Sequence, residues 1–381
     1  MQGGQSMKKM SSKERVLRAL HFEKSDRIPI DLGSTNVTSM SKIAHQNLRK
    51  ELGFKPSKDV YIMFNYQIAE VEEDILEKLE IDTRGVHGTA PHDIIKTKIN
   101  EDTYISQFGV KYRKSAGGLY YDMVDYPLAG KSVEEYEDYK WPDPYYNKDI
   151  MEQVGERARK LHKEGKYAIV GDVDESGIFE PAWYLRGFSE FLMDLVTNKE
   201  FVHRLMQDML NYQIKRYEMF LDKAGKFLDV VFVGDDLATS ESTIISPKVY
   251  REMVKPYQRK YFKAIKSMTN AKLLYHSDGN IIDFLGDLIE IGVDILNPID
   301  AAIDVNKLKK EFGDRLCFWG GIDTKYVLPK GTYNEIEKEV KKKIQQLGPT
   351  GYVLTSVHNV QADVPAKNYL KMIEMAKSIL L

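Results

Sequence analysis

Two histidines and one aspartate of this chain are placed where they could bind a metal ion. His276 ends the apolar run AKLLYH and is followed by Ser-Asp-Gly, a tight turn that directs its ring toward the end of a strand. His358 follows the apolar run GYVLT. Imidazole nitrogens and carboxylate oxygens are zinc ligands, and a catalytic zinc site needs three protein ligands and an open position. We therefore predict zinc ligands at His276, Asp278 and His358, with capping of the next helix as the alternative role of Asp278.

Further polar residues follow other apolar runs and form a second set of candidates. The predicted catalytic residues are Asp236, Glu175 and Asp31, and the predicted substrate-binding residues are Asn36, His87, Asp172, Trp319 and Asn359. Each has a structural alternative, because a polar residue after a strand often caps a helix or forms a turn. Their recurrence after nearly every run favours a shared site.

Sequence motifs of several other enzyme classes are absent. The sequence contains no G-x-G-x-x-G after a predicted strand, no G-x-x-x-x-G-K-[ST], no H-E-x-x-H and no G-x-S-x-G. The single cysteine, Cys317, lies inside a predicted strand, so we expect it to pack in the core rather than to act as a nucleophile.

Short apolar runs recur along the chain, and amphipathic helical stretches separate them. The predicted strands are 27–32 (RIPIDL), 81–86, 167–172, 228–234, 271–276, 293–297, 315–320 and 351–355. Runs without alternation indicate strands that are covered on both faces. Strand followed by helix, eight times over, predicts an α/β fold, a (β/α)8 TIM barrel, with a doubly wound open sheet as the alternative. In a closed barrel all the candidate residues would meet at one face.

The segment 102–144 departs from this alternation. Its sequence predicts a hairpin whose two strands are YISQFGVKYRK and GGLYYDMVDYPL. An acidic segment that contains prolines follows. We predict an insertion after the second strand, within a single domain that spans residues 1–381. Its tyrosine-rich strands are expected to shape the substrate pocket or a docking surface.

Composition excludes some classes of protein. The 381 residues carry a formal charge of −2, which gives no electrostatic basis for binding nucleic acid. One cysteine allows no internal disulfide framework. No apolar run approaches the roughly 20 residues that a membrane span requires, and the N-terminus lacks the apolar stretch of a secretory signal. We expect a cytoplasmic protein that does not bind membranes.

Several segments resemble the uroporphyrinogen decarboxylase superfamily, in an order that covers nearly the whole chain. SSKERVLRALHFEKSDRIPID is similar to the opening helix and first strand of that family. The stretches VVFVGDDLATSESTIISPKVYREMVKPYQRKYFKAIK, YHSDGNI, GVDILNPID, EFGDRLCFWGGIDT and GYVLTSVHNVQADVPAKNYLKMIEMA resemble its later units. The resemblance implies a barrel enzyme with its active site at the carboxyl ends of the strands.

One branch of this superfamily consists of decarboxylases that act on uroporphyrinogen without a cofactor. The resemblance implies an arginine-rich segment after the first strand, which holds the carboxylates of the substrate. This chain has DLGSTNVTSM at that place, without any arginine. Binding a substrate with many carboxylates without guanidinium groups is unfavourable, so orthodox decarboxylation is disfavoured.

The other branch consists of zinc-dependent methyltransferases that work with a corrinoid held by a separate protein. Members that use thiol acceptors have an H-x-C motif and a later cysteine as zinc ligands. This chain has His276-Ser277-Asp278 and, near the later position, His358. Without thiolates the site would be harder and more Lewis-acidic, which suits the activation of an ether oxygen.

The sequence therefore predicts a metal-assisted methyltransferase that moves a methyl group from a small methylated donor, such as an O-methyl compound, to a corrinoid protein. The alternative is decarboxylation of a porphyrinogen or a smaller acid, in which Asp31 or Asp82 would stabilise the protonated ring and His358 would position a carboxylate. A third hypothesis is a non-catalytic carrier of a small molecule or corrinoid. A homodimer is expected.

Overall fold

The computed structural model describes residues 10–58, 60–88, 95–173 and 176–381. The strands in these residues are β1 (Met40–Ser41), β2 (Tyr61–Met63), β3 (Ile68–Ala69), β4 (Thr83–His87), β5 (Ile95–Asn100), β6 (Thr103–Ser106), β7 (Lys111–Lys114), β8 (Tyr121–Asp125), β9 (Ala168–Asp172), β10 (Val230–Gly234), β11 (Lys272–His276), β12 (Ile295–Asn297), β13 (Cys317–Ile322) and β14 (Tyr352–Ser356).

Amphipathic helices separate most of these strands. The α-helices are α1 (Ser12–Leu20), α2 (Lys42–Glu51), α3 (Glu73–Lys78), α4 (Val133–Tyr136), α5 (Met151–Glu164), α6 (Phe179–Arg186), α7 (Phe188–Thr197), α8 (Lys199–Ala224), α9 (Pro247–Val249), α10 (Lys255–Met268), α11 (Leu285–Glu290), α12 (Val305–Phe312), α13 (Val327–Lys330), α14 (Tyr333–Leu347) and α15 (Ala366–Ser378).

Seven strands form one parallel sheet, in the order β4–β9–β10–β11–β12–β13–β14. Each of them overlaps one of the apolar runs predicted from residue 81 onward. Neighbouring strands of the sheet follow one another along the chain, as expected for strand–helix repeats wound into a barrel. The fold is therefore the predicted α/β barrel.

The first predicted strand, 27–32, forms a single bridge and still joins the two edges of the sheet. Ile30 pairs in parallel with Leu354 of β14, and the Asp31 N–H donates to the Leu354 carbonyl over 3.0 Å. On the other side, the Asp82 N–H donates to the Ile30 carbonyl over 3.0 Å, directly before β4. Pro29 has no N–H, which prevents a continuous ladder here. A short irregular segment therefore closes the barrel.

Helix α1 covers the base of the barrel. Its buried residues Val16, Ala19 and Leu20 belong to one apolar cluster with the side chains of Val230 and Val353 from the barrel strands. Because these residues fill the end where the strands begin, the carboxyl ends of the strands form the accessible face.

Asp82 lies at the base, in a network of charges. Its Oδ1 is 2.6 Å from Arg15 Nη1 and its Oδ2 is 2.7 Å from Arg27 Nη1. It directly precedes Thr83, the first residue of β4, and its side chain is fully buried. This end of the barrel is opposite to the end that carries His276, which contradicts the catalytic role considered for Asp82 in decarboxylation.

The predicted hairpin in 102–144 is part of a larger antiparallel sheet with the order β5–β6–β7–β8. The extra strand β5 precedes the predicted segment, and nearly all of its side chains are exposed. An exposed edge strand has no apolar run, so a search for apolar runs does not detect β5. A second small antiparallel sheet has the order β1–β3–β2.

None of the helices in the described ranges combines the length and the apolar character that crossing a bilayer requires.

Candidate active site

The three predicted metal ligands lie at the carboxyl ends of two barrel strands or in the turns that follow them. His276 is the last residue of β11, and Asp278 lies two residues later. The turn continues through Gly279 at φ +83°, where a Cβ atom would be 2.3 Å from the carbonyl oxygen of Thr239, so glycine is required. His358 lies two residues beyond the end of β14. Both turns are at the carboxyl ends of the strands.

The structure brings these three side chains together. The ring centroids of His276 and His358 are 5.6 Å apart. Asp278 lies between them, with Oδ1 3.7 Å from His276 Nε2 and Oδ2 3.9 Å from His358 Nε2. One potential ligand atom from each residue lies within 4.8 Å of the other two. The arrangement is one in which three side chains could hold a single metal ion.

A hydrogen bond to Asn297 sets the orientation of the His276 ring. His276 Nδ1 is 2.6 Å from Asn297 Oδ1, while Asn297 Nδ2 donates to the Trp319 carbonyl over 2.9 Å. Because the amide nitrogen is committed to that carbonyl, the amide oxygen must accept, and His276 Nδ1 must carry the proton. In the neutral form of the ring, Nε2 therefore carries the lone pair and faces Asp278, as a metal-binding imidazole requires.

The donor set fits a divalent metal. Asp278 Oδ1 is buried and accepts no hydrogen bond from any described residue, although it lies beside His276 Nε2. A buried carboxylate oxygen without a donor is unfavourable unless a cation neutralises it. Two imidazoles and one carboxylate are a common ligand set for catalytic zinc, with the fourth position left for substrate. These three residues could therefore hold zinc.

The described residues enclose a cavity of about 460 Å³ beside this triad. Its lining includes no lysine or arginine from the described ranges. The lining residues are Asn36, Val37, Met63, Asn65, Tyr66, Tyr120, Ser176, Glu180, Tyr184, Phe232, Gly234, Asp236, His276, Asp278, His358, Asn359 and Gln361. The cavity thus joins the triad to further carboxylates, several aromatic rings and a group of side-chain amides.

Two acids of the lining, Glu180 and Asp236, lie next to each other. The backbone N–H of Asp236 points toward Glu180 Oε2 over 3.4 Å, and the Tyr184 hydroxyl donates to Glu180 Oε1 over 2.5 Å. Burial raises the pKa of Glu180 well above its usual range, and the neighbouring Asp236 carboxylate raises it further. Burial also raises the pKa of Asp236. Two adjacent buried carboxyl groups favour a state in which one of them is protonated, because two negative charges so close together repel each other.

Asp236 also touches the triad. Its Oδ1 accepts a hydrogen bond from the Asp278 N–H over 2.8 Å and lies 4.0 Å from His276 Nε2. Asp236, a predicted catalytic residue, therefore connects the turn that carries Asp278 to Glu180.

The preceding residue, Asp235, has a structural role. Its carboxylate accepts from the N–H groups of Phe179 over 3.1 Å and Glu180 over 2.6 Å, at the start of α6. It also accepts from Gln258 Nε2 over 3.0 Å. These bonds hold α6 against β10 and place Glu180 in the cavity wall. Burial raises the pKa of Asp235 to about 6.

Asp31 and Trp319 lie together away from the described lining of the cavity. Asp31 Oδ2 accepts from Trp319 Nε1 over 2.8 Å and from Ser34 Oγ over 2.9 Å, and its Oδ1 accepts from Thr83 Oγ1 over 2.5 Å. Both Asp31 and Trp319 are fully buried, and burial raises the pKa of Asp31. The structure does not bring this pair into contact with the metal triad.

Asn36, Asp172 and His87 form another group. The Asn36 N–H donates to Asp172 Oδ2 over 2.8 Å, and His87 Nδ1 lies 3.8 Å from the same oxygen. Of these three, only Asn36 lines the described cavity, as does Asn359. Glu175 lies outside the described residues.

Sequence reasoning missed Glu180 and the tyrosines of the cavity. Glu180 lies in the largely apolar segment GIFEPAWYL, near the start of α6, and Tyr184 follows four residues later on the same helical face. An acidic residue inside an apolar segment is unusual, so the sequence alone could have identified Glu180 as a candidate. Tyr66 and Tyr120 come from loops of the two antiparallel sheets, and no periodicity marks them. Tyr120 donates to Gln361, which connects the β7–β8 loop to the barrel face.

A family model described as Uroporphyrinogen decarboxylase (URO-D) matches residues 107–379, well over half of the chain. The protein belongs to the uroporphyrinogen decarboxylase family. The resemblance found in the sequence is thereby confirmed.

Curated relatives from this family have different activities. The chain is 28% identical to a uroporphyrinogen decarboxylase of Chlorobaculum parvum over 188 residues, which cover 47% of this chain and 49% of the relative. It is 25% identical to the methylcobamide:CoM methyltransferase MtbA of Methanosarcina mazei over 229 residues, 60% of this chain and 63% of the relative. The match to the decarboxylases thus spans about half of their length. Family membership does not decide between the two reactions.

A solved structure supports the fold. A methyltransferase from Methanosarcina mazei superposes with a TM-score of 0.69 at 14% identity, covering 97% of this chain and 99% of that one. At this identity the likeness concerns the barrel architecture alone.

The raised pKa of Asp235 predicts a pH-dependent stability. The folded-state value of about 6 exceeds the unfolded value of about 4, so this group adds stability below pH 4 that is lost as the pH rises through 6. In Asp235→Asn this contribution is absent. The free energy of unfolding should decrease from pH 5 to pH 7 in the wild type. In Asp235→Asn this decrease should be smaller by roughly 1 kcal/mol.

Urea unfolding at the two pH values measures this difference. Asp304→Asn changes an exposed aspartate that also caps a helix, α12, and serves as the control. Equal pH dependence in Asp235→Asn and the wild type would contradict the assigned burial of the carboxyl group.

Proposed function

We propose that this protein transfers a methyl group from a small O-methylated donor to a corrinoid carried by a separate protein. The observation that carries the proposal is the convergence of His276, Asp278 and His358 at one end of a cavity that also contains the Glu180–Asp236 pair. A Lewis-acid site next to a proton donor is what cleavage of an unactivated ether requires.

Zinc bound by these three residues would act as a Lewis acid for the oxygen of the leaving group. His276 and His358 would bind through Nε2, and Asp278 through a carboxylate oxygen. Asn297 would keep His276 in the required tautomer. With only one anionic ligand, the ion would retain more positive charge than in a site with thiolates, which favours an oxygen donor.

The carbon–oxygen bond of the donor breaks and both of its electrons stay with oxygen. The methyl group passes to a reduced corrinoid, which supplies the electron pair of the new bond to carbon. The oxygen takes up one proton and leaves as an alcohol. We assign that proton to Glu180, in place of Glu175, because Glu180 lines the cavity and because burial and the adjacent Asp236 carboxylate raise its pKa.

The methyltransferase among the relatives supports this reading. MtbA is named as a methylcobamide:CoM methyltransferase, so corrinoid-linked methyl transfer occurs on a related chain. The present chain has no thiolate in its candidate metal site, since its one cysteine is buried in β13. We therefore place it at the step in which an oxygen-bound methyl group is removed from its donor.

Decarboxylation of a porphyrinogen is the alternative, which the curated decarboxylase relatives keep open. The cavity argues against it, because its described lining offers no lysine or arginine to pair with substrate carboxylates. Release of carbon dioxide from uroporphyrinogen by the purified protein would favour this alternative.

Zinc content tests the assigned ligands. After removal of metals, incubation with zinc and desalting, the wild type should retain one zinc ion per chain by elemental analysis. His276→Ala removes one of three protein ligands and should abolish stoichiometric retention. His162→Ala, which changes an exposed histidine of α5, should retain zinc as the wild type does. Zinc retention by His276→Ala would contradict the site.

Methyl transfer tests the reaction and the role of Glu180. Zinc-loaded protein is mixed with 2-methoxyphenol and cob(I)alamin, and the methylcob(III)alamin that forms is followed by absorbance. Glu180→Gln cannot donate a proton, and its initial rate should be about 10²–10⁴-fold lower. Glu200→Gln, an exposed position on α8, should keep the wild-type rate. A wild-type rate in Glu180→Gln would contradict the assigned proton donor.

A further inference from the structure

The charges around the cavity are unbalanced. Glu180, Asp236 and Asp278 contribute three carboxyl groups to the described lining, and no lysine or arginine accompanies them. The undescribed stretches 89–94 and 174–175, which follow barrel strands, have the sequences TAPHDI and DE and contain no lysine or arginine. A carboxylate on a ligand would therefore find no ammonium or guanidinium partner from these segments.

A divalent ion at the triad would not remove the excess of negative charge in the rest of the cavity. Its charge would be shared with Asp278, whereas the Glu180–Asp236 pair, with one proton between its two carboxyl groups, would still present one negative charge to the ligand. A ligand carboxylate close to them would experience like-charge repulsion in a partly buried site.

Aromatic side chains line another part of the cavity. Tyr66 and Tyr120 both belong to the lining, and their ring centroids are 6.1 Å apart with an interplanar angle of 60°. Phe232 contributes a third ring, whose centroid is 6.2 Å from that of His276. Rings in such arrangements present faces and edges against which a further aromatic ring can pack.

Side-chain amides complete the wall. Gln361 donates to Asn359 and accepts from the Tyr120 hydroxyl, and all three residues line the cavity. Amides and hydroxyls can hydrogen-bond to an uncharged hydroxyl or ether group but supply no counter-charge for an anion.

We propose that the cavity selects an uncharged methyl ether with a single aromatic ring and rejects the counterpart that carries a carboxylate. The inference rests on the proposed function, because it names the class of donor for that reaction. A trimethylammonium ligand would be attracted to the carboxylates and to the aromatic rings, but a divalent cation at the triad would repel it. An uncharged ligand therefore fits the whole cavity best.

Calorimetric binding to zinc-loaded wild-type protein tests the selection without any turnover. The probes share one ring and differ in charge: 2-methoxyphenol, 4-hydroxy-3-methoxybenzoate and the phenyltrimethylammonium cation. We expect the uncharged probe to bind on the order of tenfold more tightly than either charged one. Equal or tighter binding of the carboxylate, or of the cation, would overturn the inference.

A gain of affinity provides an independent check. Gln361→Arg introduces a guanidinium group into the lining and should raise the affinity for the carboxylate on the order of tenfold relative to the wild type. Gln346→Arg adds the same charge on α14, outside the described lining, and should leave the affinity unchanged. An equal rise in both variants would show a general charge effect and contradict the inference.

The binding result is separable from the proposed function. If the uncharged probe is preferred but no methylcob(III)alamin forms in the transfer assay, the selection stands and methyl transfer is wrong. If the carboxylate binds best and methyl transfer proceeds, the reaction stands and the selection is wrong.

Discussion

The position of one proton, on Nδ1 of His276, is the constraint on which the candidate site depends. The amide oxygen of Asn297 accepts a hydrogen bond from that N–H, because the amide nitrogen of Asn297 donates to the Trp319 carbonyl. Only with Nδ1 protonated does Nε2 present a lone pair to Asp278 and His358. Three neighbouring barrel strands, β11, β12 and β13, supply the three members of this chain of hydrogen bonds, so the parallel register of the sheet aligns them.

The adjacent acids Asp235 and Asp236 show how one strand end serves both architecture and chemistry. Successive residues beyond a strand point in different directions, and here one carboxylate caps α6 while the other lines the cavity. The cap places Glu180 beside Asp236, so the proton-holding pair depends on a hydrogen bond made outside the cavity. Architecture and candidate chemistry are thus connected through α6.

The barrel could be predicted because its strands are covered on both faces and therefore read as apolar runs. The exposed strand β5 has no such run, and the closing segment around Pro29 cannot form a full ladder. The criterion therefore missed β5, and it predicted the closing segment 27–32 as a strand without indicating that this segment forms only a single bridge.

The site was only partly predictable, for a related reason. Residues after a strand are placed at the barrel face by topology, which brought His276 and His358 together. Position along the chain does not reveal where a side chain points, so Asp31 and Trp319 were grouped with the site although they bond to each other in the interior. Glu180 lies on a helix and Tyr66 in a loop, and only the tertiary structure brings them to the cavity.

The most direct test of the central claim is a crystal structure of the zinc-loaded protein with diffraction data on both sides of the zinc absorption edge. One anomalous peak is expected within about 2.0–2.2 Å of Nε2 of His276, Nε2 of His358 and a carboxylate oxygen of Asp278. An absence of anomalous density between these three side chains, or a peak coordinated by other residues, would contradict the claim.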